Sequence, residues 1–186
     1  LTIDVAGHVT VSSAASIGVG TADAFDSGLA SGYGNYHKGF HVFRVGGNLT
    51  NNGMVGLTNL NEPDYANRAT NGAVSLVFYG RANNTFTCNN TTDLYNLVID
   101  KGTDRTYKLE LYSDSRSYFG LFGQNNDGWN NGSSADENAN PENRKALWIK
   151  DGTLELKGDL FIPSLSEGGV RDYTIGNDAA LVLNGS

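Results

Sequence analysis

The 186-residue sequence has little cysteine, little proline and no long hydrophobic run, and each shortage excludes a class of protein. Its single cysteine, Cys88, cannot form an internal disulfide or a thiolate metal cluster. The apolar alternation around Cys88 predicts a small core residue. Three prolines exclude a proline-rich linker. Because no run approaches the roughly 18 apolar residues of a spanning helix, we expect no membrane span.

Positive charge is scarce as well, since 13 Lys and Arg stand against 20 Asp and Glu, for a formal net charge of −7. No basic stripe runs along any part of the sequence. Neutralising a phosphate backbone requires clustered Lys and Arg side chains, so we expect no nucleic acid among the partners.

Glycine is abundant instead, with 24 residues, which is about twice its ordinary share. Gly and Asn weaken helices but suit tight turns, because both tolerate positive φ. They separate short stretches in which apolar and polar residues alternate, as at Gly47–Thr50, Asn52-Gly53 and Gly152–Leu156. Alternation with period two places neighbours such as Leu154 and Glu155 on opposite faces of a strand.

The short strands and repeated corners predict an all-β fold, and we expect a parallel β-helix, a solenoid in which each coil stacks on the next. Asn-Gly and Asp-Gly are also hairpin signals, so an antiparallel β-sandwich or jelly roll is the alternative. We expect one segment over residues 1–186, with an irregular N-terminal part at 12–40 and a long inserted loop at 123–145. Both ends of the sequence are strand-like, which predicts a segment of a longer protein.

Three phrases of the sequence carry a resemblance to known proteins. Residues 47–57 read GNLTNNGMVGL, residues 85–101 read TFTCNNTTDLYNLVIDK and residues 152–158 read GTLELKG. They resemble the repeat segments of large secreted surface proteins of Bacteroidota-type bacteria. The resemblance implies a right-handed parallel β-helix, an extracellular or cell-surface location and a role as an adhesin or passenger stalk. It supplies no catalytic residue, and residues 12–40 depart from it.

Aromatic and amide side chains gather in the sequence around the long loop. A sugar-binding surface needs flat rings to stack on and polar groups to bond hydroxyls. The residues that we predict for such a ligand site are Tyr112, Arg116, Tyr118, Trp129 and Trp148. The alternative is that Tyr118 is a core or cap residue and that Trp129 pins the loop down.

Acidic side chains in the same loop suit a hard cation. We name Asp127, Asp136 and Glu137 as candidate calcium ligands, because Ca²⁺ needs only clustered oxygens. The bidentate Glu of an EF-hand is missing at the required spacing, and a solvated acidic loop is the alternative. His37 and His41 stand where the chain alternates like a strand, which would hold them too far apart for one ion. We expect no other cofactor.

Carboxylates paired with a base would indicate polysaccharide cleavage. The candidates for that chemistry are Asp100, Lys101, Asp104 and Arg105, or Asp114 with Arg116. Alternating charges on an outward strand face are ordinarily a solvated surface, so we expect no enzyme. We predict a non-catalytic structural or adhesive segment of an extracellular bacterial surface protein; the alternative is a β-helix that binds or cleaves carbohydrate. The expected partners are other segments of the same long protein, and glycans or host and cell-surface ligands.

Overall fold

The structure, a computed structural model, describes residues 1–19, 41–58, 74–122, 145–160, 162 and 172–185. Most of the part predicted to be irregular at 12–40 and of the loop predicted at 123–145 lies outside these residues. The described residues form fourteen β-strands and one short 3-10 turn, so the prediction of an all-β chain is confirmed. No helix in these ranges is long and apolar enough to cross a membrane.

The strands are short until the last two. In chain order they are β1 (Thr2–Val5), β2 (Val9–Val11), β3 (Ser16–Gly18), β4 (His41–Val45), β5 (Leu49–Asn51), β6 (Met54–Gly56), β7 (Val74–Tyr79), β8 (Asn84–Cys88), β9 (Thr92–Leu94), β10 (Asn96–Asp100), β11 (Lys108–Ser113), β12 (Phe119–Leu121), β13 (Lys145–Gly158) and β14 (Asp172–Asn184). The 3-10 turn, Arg116–Tyr118, links β11 to β12.

Every strand pairing among the described residues is parallel, and each strand from β1 to β10 pairs with the third strand after it. We call β1, β4, β7 and β10 column A, β2, β5, β8 and β11 column B, and β3, β6, β9 and β12 column C. Strand β13 pairs with β10 through its first half and with β11 through its second half, so its first half extends column A and its second half extends column B. Strand β14 pairs with β13 along both halves. Columns A and B therefore join in one ten-stranded sheet, and column C is a separate four-stranded sheet.

The parallel pairing argues against the antiparallel sandwich or jelly roll that the sequence left open. In an antiparallel meander, Asn52-Gly53 would close a hairpin between β5 and β6. In the structure β5 instead pairs with β2 and β8, and β6 pairs with β3 and β9. The Asn-Gly signal thus marks a corner at which the chain passes from column B to column C.

Column B shows the alternation that the sequence predicts for a half-buried strand. Leu49, Phe86 and Leu111 stack in register, and each is completely buried. The next residue of each strand, such as Thr50 or Tyr112, points outward and is partly or well exposed. Successive side chains of a strand point to opposite faces, so column B has one apolar inner face and one polar outer face.

Two strands of column A, β7 and β10, depart from this alternation, because they are buried on both faces. Leu76 and Phe78 point into the core, and Val77 between them is only 8% exposed. Val98, in register with Val77, is 3% exposed on the same outer face. Parallel strands buried on both faces carry nearly continuous apolar runs, which is what the stretch Val74–Tyr79 shows.

The inner faces of the three columns enclose one core, which runs without a break from Val11 to Ala179. Three aromatic rings join the columns at its centre. Phe86 of column B lies 5.3 Å from Phe78 of column A and 6.4 Å from Phe119 of column C, centroid to centroid. Cys88 is fully buried in the same cluster, which confirms the prediction of a core cysteine.

The corner between columns B and C is held by a buried amide. Asn51 is completely buried, and its Nδ2 donates to the carbonyl oxygens of Asn90 and Thr91 at 3.1 and 2.8 Å. Its Oδ1 accepts from the backbone N–H of Gly53. A Cβ at Gly53 would lie 2.2 Å from the carbonyl oxygen of Ala15, so the neighbouring corner leaves room only for glycine.

We expect Phe86→Ala to lower the free energy of unfolding by about 3–5 kcal/mol, because it leaves a cavity between all three columns. Chemical denaturation followed by circular dichroism measures the loss. Ile175→Ala is the matched control, since Ile175 is 49% exposed and should lose far less. Similar losses in the two variants would contradict a core shared by the three columns.

Candidate functional site

The structure separates the residues predicted for a ligand site. Tyr112 lies on the outer face of column B and is 39% exposed. Arg116 and Tyr118 follow in the 3-10 turn, and Tyr118 packs, partly buried, against the core. Trp148 lies on the outer face of column A, where Nζ of Lys150 sits 4.6 Å from its ring centroid. Trp129 lies outside the described residues.

Arg116 forms an ion pair with the neighbouring Asp159. Its Nη2 lies 3.0 Å from Oδ1 of Asp159, and its Nε donates to both oxygens of that carboxylate. These contacts hold the pKa of Asp159 below its ordinary value. The guanidinium therefore joins the corner after β11 to the end of β13.

The candidates for polysaccharide cleavage are not brought together. Asp100 lies on the outer face of column A, 3.7 Å from Nζ of Lys150, whereas the next residue, Lys101, is buried. Asp104 and Arg105 lie at the corner between columns A and B, where they line a shallow cleft of about 500 Å³ with Thr106, Asn177 and Asp178. Asp114 is exposed beyond β11.

Arg105 and Asp104 of this cleft form hydrogen bonds within the protein. Nη2 of Arg105 donates to the carbonyl oxygen of Asn177 at 3.0 Å. The Asp104 carboxylate accepts from the backbone N–H of Thr106 at 2.8 Å, and hydrogen bonds from Thr106 lower the Asp104 pKa. Both charged side chains proposed for cleavage at this cleft are therefore engaged in hydrogen bonds that hold the corner.

The predicted calcium ligands Asp127, Asp136 and Glu137 lie outside the described residues, as does His37. Within the ranges that the structure describes, no three His, Cys, Asp or Glu side chains are grouped to hold a metal ion.

Charged side chains on the outer face of column B form a closed network. Nζ of Lys157 lies 2.7 Å from Glu110 and 3.6 Å from Glu155, and Lys108 binds Glu155 from the other side. Hydrogen bonds from Lys108 and then Asn184 lower the Glu155 pKa to about 2. Glu155 and Lys157 face outward as the alternation predicts, and their charges are neutralised within the network.

Lys101 is a functional candidate whose position the sequence did not predict. It is completely buried at the corner after β10, where its Nζ donates to Oδ1 of Asn84 and to the carbonyl oxygen of Tyr79. Burial lowers the Lys101 pKa to about 8. Alternation with period two ends with the strand, so it gives no direction for a corner residue such as Lys101.

On the outer face of column C, one row of residues consists of three glycines and a single aspartate. Gly18, Gly56, Asp93 and Gly120 lie in register on successive strands and point outward, since their neighbours in each strand face the core. Among the described residues, nothing lies within 4 Å of the place a Cβ would take at Gly56, and at Gly18 the nearest such atom is 3.9 Å away. Against the part of the chain that the structure describes, the row is therefore a shallow trough of bare backbone.

Asp93 closes this trough at one end. A Cβ at Gly120 would lie 2.9 Å from Oδ1 of Asp93 and 2.8 Å from Cε2 of Phe122, so the carboxylate and the ring share that space. Asp93 is partly buried, and burial raises its pKa. Within the described ranges its carboxylate has no hydrogen-bond or ion-pair partner. We call Gly18, Gly56, Asp93, Gly120 and Phe122 the Asp93 trough.

Comparison of the chain with protein-family models, with curated proteins and with solved structures gives no match. The resemblance to repeats of Bacteroidota-type surface proteins thus stays a prediction.

From the burial of Lys101 we predict that its contribution to the free energy of unfolding rises at alkaline pH. Its pKa is about 8 in the folded protein against an ordinary 10.5, so between these values the unfolded chain binds more protons. The contribution of Lys101 to stability therefore increases as the pH rises from about 8 to 10.5, by up to about 3 kcal/mol. Below pH 8 both states are protonated, and the cost of the buried charge is constant.

Denaturation of the protein and of Lys101→Met across this pH range measures the effect. Tyr79, Cys88 and Lys157 have raised pKa values and titrate in or above the same range, but they are present in both proteins. The difference between the two proteins therefore isolates Lys101. Lys150→Met should follow the unmodified protein, and an unchanged slope in Lys101→Met would show that Lys101 is solvated.

Proposed function

We propose that the chain is a right-handed parallel β-helix and that it serves as a rigid, non-catalytic scaffold with an adhesive surface, in a bacterial surface protein outside the cell. The observation that carries this proposal is the pairing of each strand from β1 to β10 with the third strand after it. A chain that passes through three columns in turn and returns in register coils around its own core.

The packing supports a scaffold. Each rung contributes one short strand to each column and packs on the rungs before and after it, so no rung buries its inner row alone. Phe78, Phe86 and Phe119 link the columns across the core, and the buried Asn51 ties successive corners. Such a stack keeps the spacing and direction of its outer faces fixed.

The arrangement of charged side chains on the outer faces favours an adhesive role over a catalytic one. Several charges on the outer faces and corners of columns A and B are paired, as in Lys157 with Glu110 and Arg116 with Asp159. The carboxylates proposed for cleavage lie on different faces or bond within a corner. The location outside the cell rests on the sequence phrases at 47–57, 85–101 and 152–158.

Antibodies raised against this chain test the proposed location. We expect them to label intact cells of the source bacterium, and we expect external protease to remove the label while a cytoplasmic marker survives. Beads coated with the folded chain should adhere to host cells, and an excess of the soluble folded chain should compete with that adhesion. Labelling that appears only after the cells are permeabilised would contradict the proposal.

A further inference from the structure

We propose that the fold forms its own covalent cross-link, in which the side-chain amine of Lys101 attacks the side-chain amide of Asn84 and joins it in an isopeptide bond. The two residues lie at corners of neighbouring rungs, since Asn84 opens β8 and Lys101 follows β10. The bond ties these rungs in a chain whose single cysteine cannot form an internal disulfide. The inference goes beyond the proposed function, because it concerns a modification of the fold itself.

The contact between the two side chains is the first observation. Nζ of Lys101 lies 2.5 Å from Oδ1 of Asn84, and the two residues are buried, at 0% and 7% exposure. A carbonyl bond is about 1.2 Å long, so the amine lies no more than about 3.7 Å from Cγ of Asn84. Reacting atoms held about 3–3.5 Å apart are close to the geometry of attack. The fold therefore brings a nucleophile and an electrophile together.

The surroundings of Lys101 give its amine no charged partner. Its other hydrogen bond goes to the carbonyl oxygen of Tyr79 at 3.4 Å, and no carboxylate of the described residues pairs with it. Burial lowers the Lys101 pKa to about 8, so a large share of the amine is neutral at mildly alkaline pH. A lysine amine that is desolvated and neutral is an activated nucleophile.

Neighbouring corners hold both groups in place. Nδ2 of Asn84 donates to Oδ1 of Asn48 at 3.4 Å, and the same oxygen accepts from the backbone N–H of Thr85 at 3.0 Å, which orients the amide from the rung before. A Cβ at Gly152 would lie 2.8 Å from Cβ of Lys101, so the backbone of the rung after packs on the lysine stem. Groups that are already oriented lose little freedom when they react.

The reaction balances without an outside reagent. The lone pair of the neutral Nζ attacks Cγ of Asn84 and forms the new C–N bond. The bond from Cγ to Nδ2 then breaks, and Nδ2 takes a proton from Nζ and leaves as ammonia. No atom is oxidised or reduced. The product is a neutral secondary amide, which removes the cost of a buried lysine charge from the corner.

The alkaline titration of Lys101 belongs to the chain before this reaction. At about pH 6 nearly every amine with a pKa of about 8 is protonated and cannot attack, so a chain refolded there keeps its free lysine. Raising the pH starts the reaction, and denaturation soon after that change follows the unreacted chain.

Intact-mass spectrometry of the folded chain tests the proposal. The chain is refolded at about pH 6 and then held for days at about pH 9, and we expect its mass to fall by about 17 Da, the mass of the ammonia released. The rate should rise with pH through about 8 and level off above it, because it follows the neutral amine. In urea the chain should keep its full mass, since unfolding separates the two residues. A folded chain that keeps its full mass would overturn the proposal.

Digestion with trypsin locates the bond. Trypsin cleaves after Lys and Arg, so it cuts the unreacted chain after Arg81, Lys101 and Arg105. The isopeptide bond blocks the cut after Lys101, and we expect one peptide over residues 82–105 that is lighter by about 17 Da. An imide at Asn52-Gly53 would also release ammonia, but it would leave the cut after Lys101 intact. A lighter chain that is still cut completely after Lys101 would therefore contradict the bond.

Two pairs of variants separate the bond from a structural contact. Lys101→Met removes the nucleophile and Asn84→Ala removes the electrophile, so both should keep their full mass at alkaline pH. Lys150→Met and Asn89→Ala make the same changes elsewhere and should lose ammonia as the unmodified chain does. Circular dichroism checks that each variant is folded, and an equal loss of mass in folded Lys101→Met would overturn the assignment. The reacted chain should also unfold at a higher temperature than the unreacted chain, because the cross-link restricts the unfolded state.

Discussion

The inward rows of side chains, stacked in register from one rung to the next, are the interaction on which the rest of the structure depends. Leu49, Phe86 and Leu111 form one such row and are completely buried, although each strand contributes only one or a few inward residues. A three-residue strand has no stability of its own. Its burial, and the ladder hydrogen bonds that come with it, exist only because neighbouring rungs present the same kind of residue at the same height.

This dependence explains which features can be predicted from the sequence. Period-two alternation is local, so it correctly places Leu154 inside and Glu155 outside, and the glycines at corners follow from turn geometry. The partner of each strand is not local. Val42 pairs with Thr2, forty residues earlier, whereas Asn96 pairs with Ser75, so no constant repeat length marks the rungs.

Most of the variation in rung length among the described strands comes from one passage of the chain. The chain passes from column C to the next column A strand directly through Tyr95 in one case, from β9 to β10. Between β3 and β4, between β6 and β7, and between β12 and β13, the same passage takes many more residues. Extra residues at one corner leave the pairing of the columns intact, because loop closure costs little more as a loop lengthens. The short strand sequences therefore recur along the chain, although the number of residues between them varies.

The surroundings of the candidate residues could not be predicted from the sequence either, because they also depend on which strands are neighbours. The sequence singled out Tyr112, Arg116 and Trp148 by residue type, and the structure distributes them over column B, a corner and column A. Asp93 attracts no notice in the sequence, because its lack of a partner depends on Gly56 and Gly120, which come from other rungs. Fixed stacking lets three glycines of distant sequence position expose one carboxylate. The surroundings of Asp93 therefore depend on the register of three strands that are distant in the sequence, and no local pattern contains that register.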